Sequence, residues 1–398
     1  MTLKNKHIIL AISGGIAVYK TCELLRQLQK EGAVVRVMMT ESATKFVTPL
    51  TFESLSNHEV AYKMFPENKF IATKHIDWAD WADCIVFAPA TANVIGKIAS
   101  GLSDDIVTTV ACAFPGPKLI APAMNSNMWA NPIVQDNLQK LTNFGYHIVP
   151  TESGELACGW IGEGRLAPWQ HIIQYVYKAL STNSLKDKSV IVTSGASIED
   201  IDPVRFISNR STGKMGHSLA FAAWCLGANV TLISGNATAE VPYEVTFIPT
   251  RSSEEMYTEA KRMFPASDIY ISAAAIADYT PQETHSHKLK KSDDALSIPL
   301  KCTKDILSEL NKIKKKQLLV GFAVETQNEI EHSTSKLNRK GLDYIILNNP
   351  LKKGAGFASD TNEVTLISKM GTVEEIPQMS KRELAFDLLN KISEGLNA

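Results

Sequence analysis

A chain of 398 residues suits two or three domains of about 100–200 residues each. Apolar residues make up 44%, charged residues 21%, and the formal net charge is −1, which gives no electrostatic case for nucleic acid or a membrane surface as a general partner. No apolar run reaches the roughly 18–20 residues needed to cross a bilayer. The 6 cysteines include no CxxC pair, which suits a reduced cytoplasm better than a disulfide frame or a zinc site.

The N-terminal half alternates strand and helix. "HIILAIS" (7–13) reads as a first strand, not a signal peptide, and it ends at Gly14-Gly15. A helix follows over 16–32, with Leu24, Leu25 and Leu28 on one face. The apolar runs 34–40, 84–91 and 118–125 are continuous, which indicates parallel strands covered on both faces. "ESGELACGWIGEGR" (152–165) sets Cys158 among Gly154, Gly159, Gly162 and Gly164, a composition unsuited to a stable helix or strand. The polar stretch 181–188 is the best linker, dividing the chain into 1–186 and 187–398. The pattern then restarts with strands over 189–196, 228–235, 268–279, 317–326 and 342–349. A hairpin over 362–377 turns at Met370-Gly371, and an amphipathic helix over 381–392 closes the chain. The fold class is α/β, with two parallel sheets.

Several segments carry chemistry. Ser13, Gly14 and Gly15 sit between a strand and a helix, where bare backbone and free N–H groups suit a phosphate. A tight βα turn explains the same residues, and the motif is neither GxGxxG nor a Walker loop. Thr91 and Asn93 follow a strand at the edge where open α/β sheets bind ligands. Asn93 serves equally as a helix cap. His75 and the turn with Met124 and Asn125 are open to structural readings too. In the second half, "SGASIEDIDPVRFISNRSTGKMG" (194–216) reads as a long polar loop that puts Arg205, Asn209, Arg210 and Lys214 near the head of a helix. "SAAAIADY" (272–279) ends a strand with small residues and Asp278, leaving room for a flat base. Lys288, Lys290 and Lys291, then Lys336 and Lys340 on one helix face, suit a triphosphate as well as solvent.

"HIDWADWAD", "PATAN", "APAMN" and "ESGELACGWIGEGR" occur in that order, and together they resemble the flavin-dependent cysteine decarboxylases, most closely the phosphopantothenoylcysteine decarboxylases. Loss of CO2 from an amino-acid carboxylate leaves a carbanion that needs an electron sink. The resemblance implies FMN, which oxidises the substrate thiol so that a C=S bond takes up that charge. It also implies that Cys158, on a mobile flap, is the proton donor. His75 would be a base, Asn125 would hold the departing carboxylate, and Met124 would flank it. Ser13, Gly14, Gly15, Thr40, Thr91 and Asn93 would meet FMN.

"DPVRFISNRSTGKMG", "AAAIADY", "KLKK", "GFAVET" and "KLNRKGLDYIILNN" are similar to the phosphopantothenate–cysteine ligase domain. There CTP turns a carboxylate into an acyl-cytidylate, and cysteine's amine displaces CMP; Mg2+ and lysines offset the phosphate charge. The resemblance implies CTP contacts from Ser272, Ala273, Ala274, Asp278, Lys288, Phe322, Lys336 and Lys340, with Lys288 also catalytic. Arg205, Asn209 and Ala275 would hold phosphopantothenate and its cytidylate, and Asn209 would be catalytic. The family's Asn-Pro-Asp-Ile turn reads "CTKDIL" here, and Lys304, Asp305, Ile306 and Leu307 are its CTP-binding counterparts. The implied architecture is two Rossmann-like domains, flavodoxin-like at the N-terminus. The implied assembly is a dodecamer of decarboxylase trimers and ligase dimers, in the cytoplasm, acting on 4′-phosphopantothenate, cysteine and CTP. A peptide-cysteine decarboxylase and a non-catalytic flavoprotein regulator are the alternatives.

Overall fold

The computed structural model describes residues 2–65, 74–156, 159–290, 296–325, 328–349, 356 and 358–396. Cys158 and Lys291 lie outside the described residues. The chain forms two compact units, Thr2–Ser181 and Thr182–Ala398.

In the first unit, β1 (His7–Ile12), β2 (Val34–Met39), β3 (Cys84–Ala90), β4 (Lys118–Pro122) and β5 (His147–Ile148) form a five-stranded sheet in the order β2-β1-β3-β4-β5. Every neighbouring pair is parallel. All of β3 is buried, as a parallel strand covered on both faces requires. The layers are α1 (Val18–Lys30), α2 (Pro49–Ser56), α3 (Lys74–Trp81), α4 (Ala92–Ser100), α5 (Ile106–Ala113), α6 (Ser126–Trp129), α7 (Pro132–Asn143) and α8 (Trp169–Ala179). Local rules set their ends. Thr91 caps α4, which stops at Gly101 with φ 71°. Asp105 and Thr108 form a capping box on α5. Ile9, Phe87, Ile95, Val107 and Ile120 centre one core cluster, each such side chain contributing about 1.5–3 kcal/mol on burial.

The 152–165 segment differs from the sequence expectation. β6 (Glu152–Glu155) and β7 (Ile161–Arg165) pair as an antiparallel hairpin with a register shift between Glu152 and Gly154. Its glycines mark irregular or crowded points of the ladder; they do not prevent pairing.

The second unit holds β8 (Ser189–Ser194), β9 (Ile198–Asp200), β10 (Phe206–Ser208), β11 (Asn229–Ser234), β12 (Thr246–Pro249), β13 (Ile269–Ser272), β14 (Tyr279–Pro281), β15 (Leu300–Cys302), β16 (Leu318–Val324), β17 (Tyr344–Asn348), β18 (Thr361–Ser368) and β19 (Val373–Ser380). Its main sheet has eight strands in the order β12-β11-β8-β13-β16-β17-β18-β19. The pairs from β12 to β17 are parallel, and β18 and β19 add an antiparallel hairpin at the edge. The helices are α9 (Lys214–Cys225), α10 (Ser253–Met263), α11 (Ile306–Ile313), α12 (Glu329–Lys340) and α13 (Lys381–Glu394).

Two expectations are corrected in this unit. The run 268–279 is a strand only to Ser272. Beyond it, Ala273 N–H donates to Thr193 O at 3.1 Å and Ala275 N–H to Gly195 O at 2.8 Å, so the chain crosses the end of β8. The 194–216 stretch is not simply a loop, because β9 and β10 pair within it as an antiparallel ribbon. Among the described residues no helix is long and apolar enough to cross a membrane.

Candidate functional sites at the carboxyl edges of two sheets

In each sheet the chain reverses its direction of winding beside its first strand, at β1/β3 and at β8/β13. The carboxyl ends of the strands at such a switch point leave a crevice that suits ligands.

At the first switch point Ser13 ties the two strand ends together. Its hydroxyl donates to Pro89 O at 2.7 Å and accepts the Thr91 N–H at 2.9 Å. That hydroxyl is thus engaged within the protein. A Cβ on Gly14 would stand 2.5 Å from Ser42 Cβ, so the residue must be bare for the Ser42 turn to approach. Thr40 sits in the same layer, its N–H donating to Ile12 O at 3.0 Å. Thr91, not Asn93, caps α4, by accepting the Val94 N–H; Asn93 is exposed. α1 begins at Ala17 with no capping side chain, and its Val18 and Lys20 N–H groups donate to Gly15 O and Ala17 O, each at 3.0 Å. This edge of glycines, threonines and helix N-termini fits a flavin and its phosphate.

Asn125 caps α6, its Oδ1 accepting the Asn127 N–H at 2.9 Å. The hairpin is anchored to this turn. Met124 N–H donates to Gly164 O at 2.9 Å, and Trp129 Nε1 donates to Glu163 Oε2 at 2.9 Å. Gly164 has φ 110°, and a Cβ there would meet Met124 O at 2.5 Å. Burial, then Arg165, depresses the Lys20 ammonium while Glu152 opposes this, so the hairpin base lies beside the first turn of α1. His75 is half-buried at the start of α3. A helix leading into a parallel strand runs against it, so this end lies toward the carboxyl edge.

The second switch point gathers most of the nucleotide candidates. Lys336 Nζ donates to Phe322 O at 3.1 Å. Burial lowers its pKa, and Lys340 lowers it further, against Glu325, Asp305 and Asp278. Lys340 pairs with Asp305 at 2.8 Å. Burial pushes the Asp305 carboxyl up, but Lys340 and the Ser308 N–H pull it below the usual range. Asp305 also caps α11. Ser272 is buried at the end of β13, and Ala273, Ala274 and Ala275 follow it half-exposed. Asn209 Nδ2 donates to Ala275 O at 3.1 Å, which brings these two substrate candidates together. Lys214 opens α9 and is held by Asp360 at 2.6 Å.

Four candidates stand apart. Lys304 turns to α10, pairing with Glu254 at 2.6 Å and lying 4.6 Å over the Tyr257 ring. Ile306 and Leu307 are 2% and 6% exposed and belong to the core. Only their backbone N–H groups, in the first turn of α11, are left for a ligand. Lys288 is exposed in an irregular segment whose next residue, Leu289, is fastened to Asp202 and Arg205. Sequence reading assigned no role to Asp202, Glu163 or Ser42; the Asp-Pro step at 202–203 was the available signal for the first. Among the described residues no group of three or more His, Cys, Asp or Glu is placed to hold a metal.

Residues 1–181 match the Flavoprotein family model, and residues 185–396 match the DNA/pantothenate metabolism flavoprotein C-terminal domain. The coenzyme A biosynthesis bifunctional protein CoaBC of Bacillus subtilis (strain 168) is 47% identical over 98% of this chain and 97% of its own length. This chain belongs to the CoaBC family. Members of this family are bifunctional enzymes of coenzyme A biosynthesis, and the flavoprotein decarboxylase half and the ligase half are both present here. A CoaBC of Vibrio cholerae is 40% identical over 99% of this chain and 100% of that protein. A cysteine/cysteine sulfinic acid decarboxylase from an unknown prokaryote is 42% identical over 87% of this chain and 98% of its own. The solved C-terminal domain of a CoaBC aligns at 37% identity with a TM-score of 0.48, over 54% of this chain and 99% of that one.

Proposed function

We propose that residues 187–398 join 4′-phosphopantothenate to cysteine at the expense of CTP, and that residues 1–186 decarboxylate the product to 4′-phosphopantetheine. The supporting observation is that one chain carries two separate carboxyl-edge sites of opposite character. One is built of glycines and threonines, with a hairpin anchored on the Met124–Asn125 turn. The other is a cation cluster around Lys336 and Lys340.

In the first site Ser13, Gly14, Gly15, Thr40, Thr91 and Asn93 would hold FMN, the phosphate meeting the start of α1. Bound FMN would supply the oxidation of the substrate thiol and the later return of electrons. Asn125 orients the substrate carboxylate, and Met124 walls the pocket. His75 accepts a proton from the substrate. Cys158, as a thiol, returns one to the carbon that lost CO2. The β6–β7 hairpin excludes water by lying over the Met124–Asn125 turn.

In the second site Lys336, Lys340 and Lys288 offset triphosphate charge, while the small residues 273–275 admit the cytosine base. Asn209 and Arg205 hold the phosphopantothenate carboxylate and its cytidylate. Mg2+ enters with the nucleotide, bound mainly through phosphate oxygens. We also infer a cytoplasmic dodecamer of decarboxylase trimers and ligase dimers, measurable by light scattering.

Cys158→Ser and Asn209→Asp, assayed for each half-reaction, test the assignment. The first is expected to block release of reduced product by about 10²–10⁴-fold while ligation continues. The second is expected to do the reverse. Joint failure of both half-reactions in either variant would refute two independent sites. The 42% identical relative motivates one control, free cysteine without phosphopantothenate. CO2 release from that mixture at a rate matching the phosphorylated substrate would favour a cysteine decarboxylase instead.

A further inference from the structure

Asp202 follows the β9 strand, is 1% exposed, and has both carboxylate oxygens committed. Oδ1 accepts the N–H groups of Val204 at 2.8 Å and Arg205 at 2.9 Å. These are local turn bonds, of a kind Asp commonly makes. Oδ2 accepts Arg205 Nε at 2.9 Å, Arg205 Nη2 at 2.5 Å and the Leu289 N–H at 3.1 Å. Arg205 Nη2 also donates to Leu289 O at 2.8 Å. Both backbone polar groups of Leu289 are therefore held by one ion pair, 87 residues away from Asp202 in sequence.

Two further bonds run the same way. Thr284 Oγ1 donates to Asp200 O at 3.2 Å, and His285 N–H donates to Ile201 O at 3.0 Å. The 284–289 segment is thus laid along 200–202 and clamped at its far end. Lys288 is the residue before the clamp. On the other side, β10 leads from Arg205 to Asn209, whose amide reaches Ala275 O. A buried carboxylate is costly unless its oxygens are satisfied, and here donors from two distant segments satisfy it. A local turn needs only Oδ1; the Oδ2 bonds join the two segments.

We propose that Asp202 is a positioning residue for ligation, fixing Lys288 relative to Arg205 and Asn209. This rests on the reading of those three as ligase-site groups. Asp202 touches no substrate; it sets where Lys288 stands when the acyl-cytidylate forms.

The test uses the full-length chain with Asp202→Asn, Lys288→Ala and the double variant. Ligation is followed as CTP-dependent pyrophosphate release, and decarboxylation of supplied phosphopantothenoylcysteine serves as the control. Asp202→Asn is expected to lower the ligation kcat by about 10- to 100-fold, the scale of a 1 Å misplacement, with KM for CTP changed less than about threefold and decarboxylation unchanged. On the Lys288→Ala background the same change is expected to cost less than about threefold, because the two act through one group. An undiminished loss on that background, or wild-type ligation in Asp202→Asn, overturns the proposal. Wild-type ligation in Lys288→Ala overturns it from beneath and identifies the Lys288 reading as the fault. Asp202→Glu keeps the charge but moves the carboxylate, and it carries the same cycle should the Asn variant fold poorly. Full ligation by the Glu variant counts against positioning.

Discussion

The two units use the same sheet logic and opposite chemistry. Each places its candidate site where winding reverses beside its first strand. At β1/β3 the working features are bare backbone and helix N-termini: Gly14 pressed on Ser42, Gly164 pressed on Met124. At β8/β13 they are charges held in pairs: Lys340 with Asp305, Arg205 with Asp202, Lys214 with Asp360. A planar, mostly uncharged ring system is recognised by shape, so the first site is sensitive to a single added methyl. A triphosphate is recognised by charge, so the second is sensitive to which lysines are free to turn toward it.

The contrast breaks most readily at Gly164. Gly164→Ala puts a Cβ 2.5 Å from Met124 O at a φ of 110°, so the hairpin must lift from the Asn125 turn. Decarboxylation is expected to fall about 100-fold with ligation unchanged. Equal loss of both half-reactions would mean that the glycine serves overall folding instead. Gly14→Ala is the next largest. The crowding against Ser42 should displace the turn and weaken flavin retention about tenfold, read as visible absorbance per mole after gel filtration.

On the charged side, Lys336 and Lys304 should part company. Lys336 is half-buried in the cluster at Phe322 O, whereas Lys304 is drawn off to Glu254 and Tyr257. Lys336→Met is expected to raise KM for CTP about tenfold, the equivalent of about 1.4 kcal/mol, and Lys304→Met less than about twofold. Equal effects would show that the Lys304–Glu254 pair opens when nucleotide binds.

The unequal legibility of the two units has physical causes. Strands such as Cys84–Ala90 are buried on both faces, so their apolar runs are continuous and readable. The 362–377 hairpin announces itself by the Met370-Gly371 turn, where Gly371 takes φ 88°. The β6–β7 hairpin is held by backbone bonds between glycine-rich strands, and side-chain patterning carries no trace of those. The β9–β10 ribbon pairs outside the main sheet, and its one buried side chain is the charged Glu199, so no apolar alternation marks it. Motif reading placed Lys304 and Lys336 in one group. Only their partners, Glu254 and Phe322 O, separate them, and Glu254 lies 50 residues from Lys304. Asp202 had only its Asp-Pro step to mark it, because its partner Leu289 lies 87 residues away.

The smallest expected effect concerns stability, and it distinguishes a cation that works from one that is merely buried. Lys381 opens α13 at 6% exposure, with Nζ donating to Gly356 O at 3.3 Å. Burial, then the nearby Lys214, lowers its pKa to about 8, with Asp360 opposing. In the unfolded chain the group returns to about 10.5, so between pH 8 and 10.5 the unfolded state binds more protons. Its contribution to stability therefore rises with pH across that window, and below pH 8 the folded protein carries the full cost of a buried charge. Lys381→Met is expected to unfold several degrees higher than the parent at pH 7, at about 2–4 °C per kcal/mol for a unit of this size, with the gap closing toward pH 10. A gap that stayed constant with pH would show that Lys381 is held by its partners as strongly charged as any surface lysine. The cluster with Lys214 and Asp360 would then have to be regarded as a charged site in its own right.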